Sequence, residues 1–320
     1  MDKLNTSDLG VRFVSGNQID RLKWDRCIGR ALNENICAYS WFLDIMCAGW
    51  SGLVAGDYAY IMPLPLNSRF GITYLLQPRF VQQLGVFGVV PQDEDVIKQF
   101  IDAIPLTIKV IDYHFNTRNR LIPEWNVKMR TNLVLKIDKT YEAHRLLYAH
   151  NLIRNLKKSS EKGFYKVQNN DFESLIKLFR KEKGSELSFL KDKNYRLLTR
   201  VLQACLNRNK ADVWSVYNRE NELCGGIVWL FSHDRAVLYF SAQRKTGRAE
   251  GALAWLIDAF IQENAASGIL LDFEGSVRPG LARFYAGFGA LAEYYPRLII
   301  NRLSPFLKKI YSWYRKMKKD

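Results

Sequence analysis

Apolar positions recur along this chain with two spacings, and each change of spacing marks an element. A short strand is expected at VRFV (11–14), a helix from Ile19 to about Leu32, and helical spacing again in YSWFLDIM (39–46). GDYAYIMPLPL (56–66), GITYLL (71–76) and VQQLGVFG (81–88) are apolar and aromatic with Gly and Pro punctuation, and read as strands. DEDVIKQFIDAI (93–104) carries acids in its first turn and a period near 3.6, which predicts a helix. IKVIDYHF (108–115) and TNLVLKI (131–137) are strands.

A long helical stretch from Thr140 to about Lys162 follows, basic toward its end and capped by Gly163. FYKVQ (164–168) opens a new strand and DFESLIKLFRK (171–181) a new helix. LCGGIVWLF (223–231) and AVLYFSAQ (236–243) are strands, with His233-Asp234 in the turn between them. GALAWLIDAFIQ (251–262) is a helix with Leu253, Leu256, Ile257 and Phe260 on one face, and GILLDFEG (268–275) is a strand. The order strand–strand–helix–strand thus occurs twice, first in 56–115 and then in 223–275, which points to a duplicated α/β unit. The expected division is 1–155 for a first domain, 156–304 for a second and 305–320 for a terminal helix.

Charge separates the two halves. The net charge is +15, but residues 1–150 hold 17 Lys+Arg against 15 Asp+Glu, and residues 151–320 hold 30 against 17. A basic second half suits an anionic ligand: a phosphorylated cofactor, a nucleic acid or a lipid surface. The alternative is a solvated surface that favours Lys. MDKLNTSDLG has no basic segment followed by an apolar one, so no signal peptide is expected, and no apolar run approaches a membrane span. Five cysteines do not suggest a disulfide framework, and buried thiols of a cytoplasmic protein are expected. The four histidines have no metal-ligand spacing, and HExxH, CxxC and GxSxG are absent. Aromatics between 24 and 60 fit either a binding cleft or core packing.

Chemistry concentrates in SAQRKTGRAEGALAWL (241–256). A strand ends at Ser241 and a helix is expected near Glu250. Between them Arg244, Lys245 and Arg248 surround Thr246, Gly247 and Ala249. Small residues admit a bulky anion to backbone N–H groups, the helix N-terminus adds partial positive charge, and three cations complete a pyrophosphate site. A basic surface turn is the alternative.

Arg244-x-x-Gly247-x-Ala249 resembles the acyl-CoA pyrophosphate loop, [Gln/Arg]-x-x-Gly-x-[Gly/Ala], of the GNAT superfamily of N-acyltransferases. The run from Ala282 to Ala290, ARFYAGFGA, resembles that superfamily's next motif, A-x-x-[Phe/Leu]-Tyr-x-x-[Phe/Leu]-Gly-[Phe/Ala]. Tandem domains with the site in the second, and a basic helix between them, look like the FemAB-like branch, which includes aminoacyltransferases that extend peptidoglycan precursors. LIRNLKKSSEKGF (152–164) and DFEGS (272–276) are similar to that branch's elements. The resemblance implies an α/β (α+β) fold of two tandem GNAT-like domains, with mixed, largely antiparallel sheets flanked by helices. It implies acyl-CoA as co-substrate, with no tightly bound cofactor, and an amine acceptor that a cell wall or lipid carries. FemAB aminoacyltransferases draw on aminoacyl-tRNA and need no well-formed CoA loop, so the loop here favours a thioester donor. The rivals are tRNA-dependent aminoacyl transfer to a peptidoglycan precursor and a non-catalytic tandem binding protein.

Acyl transfer to an amine needs a base, oxyanion donors and an acid for the leaving thiolate. Glu274 stands at a strand end, with Asp272 on the same face two residues earlier. The pair reads either as a base with an ionised neighbour or as a helix cap or ion pair with Arg278 or Arg283. The resemblance assigns Tyr285 as proton donor to the CoA sulfur; the residue stripe alone equally fits core packing. Oxyanion donors would be backbone N–H groups of Tyr239–Ser241. The tail carries seven Lys+Arg and one Asp in 302–320, with Phe306, Ile310, Trp313, Tyr314 and Met317 at helical spacing. Such a helix either lies on an anionic membrane, at its inner face, or on a nucleic-acid backbone, or packs its apolar stripe on the second domain.

Overall fold

The structure, a computed structural model, describes residues 8–89, 93–122, 125–184, 186–187, 189–275 and 278–317, the last six as backbone only. Its strands are β1 (Arg12–Val14), β2 (Ser51–Ala55), β3 (Tyr60–Leu64), β4 (Leu66–Arg69), β5 (Ile72–Leu76), β6 (Phe87–Gly88), β7 (Ile108–His114), β8 (Val127–Ile137), β9 (Tyr165–Asn169), β10 (Ala211–Tyr217), β11 (Leu223–Ser232), β12 (Arg235–Gln243), β13 (Ile269–Asp272) and β14 (Leu291–Asn301). Its helices are α1 (Arg21–Arg30), α2 (Ser40–Met46), α3 (Glu94–Asp102), α4 (Tyr141–Arg145), α5 (His150–Ser160), α6 (Phe172–Lys183), α7 (Asp192–Leu206), α8 (Lys245–Glu250), α9 (Ala252–Glu263), α10 (Pro279–Ala286) and α11 (Pro305–Met317).

The chain divides into a first unit, Met1–Arg130 with Tyr294–Asp320, and a second, Thr131–Glu293. The expected boundaries at 155 and 304 are therefore displaced. Leu152 and Leu156 of α5 belong to the buried cluster of the second unit, with Leu253, Leu256 and Phe288. At the other end, β14 pairs antiparallel with β7, from Arg297 opposite His114 to Asn301 opposite Val110, so the chain returns to the first unit.

In the first unit β1, β2, β3 and β6 form an antiparallel sheet, and β4 and β5 form a hairpin whose β5 runs parallel to β7. GDYAYIMPLPL is thus two strands: Pro65 has no N–H for a ladder and separates β3 from β4, which join different sheets. VQQLGVFG contributes only β6 and a bridge from Leu84 to Phe115. α3 starts where expected, with the Asp93 carboxylate accepting from the Val96 N–H at 3.0 Å, and it buries Val96, Ile97, Phe100 and Ile101. Trp24 and Trp50 are fully buried with ring centroids 4.7 Å apart, so these aromatics serve the core.

In the second unit the strand order is β8-β13-β12-β11-β10-β9, antiparallel except for β12 with β13. Each unit therefore holds one parallel pair joined by a helical crossover, β5–α3–β7 and β12–α8–α9–β13, which is the expected duplication. The stretch 140–162 is broken into α4 and α5, and the chain between them is held by the Ala149 N–H donating to the Gly287 carbonyl at 2.8 Å. His233, at φ 44°, forms the expected turn between β11 and β12. The terminal helix groups with the first unit, not the second. Phe306 and Ile310 are exposed, while Trp313, Tyr314 and Met317 lie outside the described side chains. Among the described residues, no helix is long and apolar enough to cross a membrane, and no cluster of His, Cys, Asp and Glu could hold a metal ion. The five cysteines are buried.

Candidate active site

β12 is the backbone of the site. It pairs with β11 along its whole length, but the register slips: Leu238 faces Trp229 and Phe240 faces Val228, leaving Tyr239 as an inserted residue. A bulge of this kind bends the strand and re-aims its backbone groups. On its other edge β12 pairs with β13 only from Arg235 opposite Leu270 to Val237 opposite Asp272. β12 then continues to Gln243, six residues beyond its last pairing with β13 at Val237. A cavity of about 950 Å³ in the second unit lies against this last stretch of β12.

Ser241, Ala242 and Gln243 of β12 line the cavity, as do Arg248 and Ala249 of α8, Leu253 and Ala254 of α9, and Tyr285 of α10. Six cations line it: Lys158 of α5, Lys162 just beyond α5, Lys183, Arg248, Arg278 and Arg283. Three carboxylates, Glu182, Glu186 and Glu250, oppose them; Lys162 lies 3.4 Å from Glu250 and Lys183 lies 2.6 Å from Glu186. Of these cations, the sequence pattern assigns only Arg248 to the donor, and Arg278 and Arg283 enter it as ion-pair partners of the two carboxylates. The others come from α5 and α6 or their ends, and the basic end of the 140–162 stretch was the one local sign of them.

The predicted donor-binding residues divide. Ser241, Arg248 and Ala249 reach the cavity; Tyr239, Arg244, Lys245, Thr246 and Gly247 do not line it. The helix expected near Glu250 starts at Lys245, one turn earlier, so the motif is helical rather than a loop. Arg244 is the N-cap residue: its N–H donates to the Cys224 carbonyl at 2.9 Å and its guanidinium sits 3.3 Å from Glu222. Gly247 is buried, and a Cβ there would overlap the Cys224 carbonyl oxygen and lie 3.1 Å from its carbon. Its lack of a side chain lets α8 approach β11. Gly251 sits between α8 and α9 at φ 80°, and a Cβ there would come within 2.5 Å of Ser159 Oγ. That hydroxyl donates to the Glu250 carbonyl at 2.7 Å and ties α5 to the loop.

The three predicted catalytic side chains also separate. Tyr285 is 4% exposed, lies on the cavity wall and stacks on Phe273 at 4.6 Å between centroids. Burial pushes its phenol up to about 12, so it carries its proton at neutral pH. Asp272 does not line the cavity. It is buried, its Oδ1 accepting from Asn132 Nδ2 at 2.7 Å and its Oδ2 from Arg235 Nη1 at 2.6 Å. It is thus in an ion pair, with Arg235 rather than with Arg278 or Arg283. Parallel pairing sets Arg235 opposite Leu270, two residues before Asp272 on the neighbouring strand, and this decides the partner. Glu274, half-buried, does not line the cavity either. Desolvation, and then the negative charge of Asp272, hold its carboxyl well above the usual range against the opposing pull of Arg235. Ser276 of the DFEGS element lies outside the described residues.

Comparison with known proteins agrees with this geometry. Residues 148–279 match the family model described as an acetyltransferase (GNAT) domain. A search of curated proteins found no match. Among solved structures, the chain is similar to FemX, with a TM-score of 0.61 and 11% identity over 87% of this chain and 96% of that one. It is also similar to a conserved protein of unknown function from Bacteroides thetaiotaomicron, with a TM-score of 0.58 and 9% identity over 88% and 96% of the two chains. A third similarity is to the C-terminal domain of a protein assigned as a lysylphosphatidylglycerol synthetase from Agrobacterium fabrum, with a TM-score of 0.51 and 8% identity over 87% and 90%.

Proposed function

Since the chain has the tandem, FemAB-like fold of the GNAT superfamily, we propose that its second unit transfers an acyl group from acyl-CoA to an amine. One observation carries this reading. The last residues of β12, the proton-bearing Tyr285 and six cations line a single cavity. The donor's phosphates would lie against Arg248 and the lysines of α5 and α6, and the thioester carbonyl against the backbone N–H groups of residues 239–241. Attack by the amine forms the new C–N bond and breaks the C–S bond, and Tyr285 gives its proton to the departing sulfur. Glu274, which is off the cavity wall, would take the amine proton through an intervening water. The likeness to FemX and to the lysylphosphatidylglycerol synthetase domain supports an acceptor carried by a cell-wall precursor or a lipid.

A second reading is aminoacyl transfer from tRNA to a peptidoglycan precursor. The six cations around an opening of 950 Å³ favour it, because a nucleic-acid backbone would meet them equally well. Calorimetric titration of the purified protein with CoA and, separately, with aminoacyl-tRNA distinguishes the two. The proposal expects CoA to bind, Arg248→Gln to weaken it about tenfold, as loss of one charge-assisted hydrogen bond would, and Tyr285→Phe to slow transfer while CoA still binds. Binding of tRNA without CoA refutes the thioester donor.

A further inference from the structure

The first unit presents an apolar, basic face that the acyl-transfer reading does not use. Three segments meet there. Thr73 at the start of β5 pairs with Ile108 at the start of β7, so the hairpin tip Phe70–Gly71 and the loop 103–107 lie at the same end of these parallel strands. The third segment follows β14. The Arg302 N–H donates to the Lys109 carbonyl at 2.7 Å, and its Nη1 donates to the carbonyls of Pro105 at 3.1 Å and Ile108 at 3.3 Å. Leu303, just before α11, is buried, and Tyr311, midway along it, stacks on Tyr74 at 6.1 Å, so the helix is anchored at two points.

Each segment puts apolar side chains into solvent. Phe70 is 86% exposed, Leu106 74%, Phe306 72% and Ile310 48%. Cations accompany them: Arg69 lies over the Phe70 ring, the Lys109 Nζ donates to the Leu106 carbonyl, and Lys308 and Lys309 are exposed on α11. Asp102, the acid beside this loop, is paired with Lys98.

We propose that this face docks on an anionic lipid bilayer. Protruding aliphatic and aromatic side chains on separate segments suit insertion among acyl chains, and the surrounding cations suit the headgroups. A nucleic-acid backbone would reward the cations but leave Leu106, Phe306 and Ile310 in water. A second copy would set one cluster of cations against another.

Co-sedimentation with vesicles of phosphatidylglycerol and phosphatidylcholine tests this in the full-length protein. Binding is expected to fall at high salt and to be absent on pure phosphatidylcholine. Lys308→Gln with Lys309→Gln should weaken it roughly 25-fold, about fivefold per charge. Leu106→Ser and Phe70→Ser should each weaken it about tenfold, with unchanged thermal midpoints because both positions are exposed. Equal binding to neutral vesicles, or full binding by both Leu106→Ser and Phe70→Ser, overturns the proposal. So does RNA binding that falls with the lysine changes but not with Leu106→Ser, and so does a dimer in solution that Leu106→Ser dissolves.

Discussion

Replacing Gly247 by Ala separates two explanations for a glycine in this turn. If Gly247 exists to admit a phosphate, a methyl group should leave stability alone and weaken donor binding. The structure argues the reverse. The added Cβ would overlap the Cys224 carbonyl oxygen and stand 3.1 Å from its carbon and 3.3 Å from its Cβ. The obstruction is main chain of a central strand, which no rotamer change can move aside. Overpacking of this kind costs about 1–3 kcal/mol, against a gain of about 1 kcal/mol from replacing Gly by Ala inside a helix. A net loss of about 1 kcal/mol is therefore expected, or a fall of about 2–4 °C in the melting midpoint of a unit this size. CoA affinity at a temperature where the variant is folded should stay within about twofold, since Gly247 does not line the cavity. Differential scanning calorimetry and titration calorimetry on the same sample decide the matter. A variant as stable as the wild type that no longer binds CoA would refute the packing argument and restore the glycine as part of the phosphate site.

Asp272→Ala should destabilise the second unit by about 3–5 kcal/mol, the usual result of removing one partner from a buried ion pair, because among the described residues Arg235 keeps the more distant Glu293, at 3.5 Å; urea unfolding measures it, and a loss under 1 kcal/mol would contradict the geometry. His114 carries a pH prediction for the first unit. Desolvation lowers its pKa from 6.5 to about 4, so the unfolded chain binds the extra proton first, and stability is lost as pH falls from 6.5 toward 4. Wild type should lose about 2–3 kcal/mol between pH 7 and pH 4.5 relative to His114→Gln, and parallel curves for the two proteins would count against a buried neutral imidazole.

Much of this architecture was legible in the sequence because it follows from local rules. The helix of Asp93 and its acids, the hairpin around His233 and the doubled strand–strand–helix–strand order all rest on contacts within a few residues or on spacing along one face. The two motifs that include Gly247 and Tyr285 were visible for the same reason, and Tyr285 does face the cavity. Tertiary packing decided the rest. Gly247 meets Cys224, twenty-three positions earlier, so no local reading could tell packing space from ligand space. Asp272 meets Arg235 through a parallel register set by the crossover helices, and this made a candidate catalytic carboxylate into half of a buried ion pair. Five of the six cavity cations come from α5, α6 and α10 or their ends, and their convergence depends on how those helices pack around the end of β12. The return of β14 to β7 moved the terminal helix to the first unit, because a strand's partner is chosen by hydrogen bonding across the fold and not by sequence order.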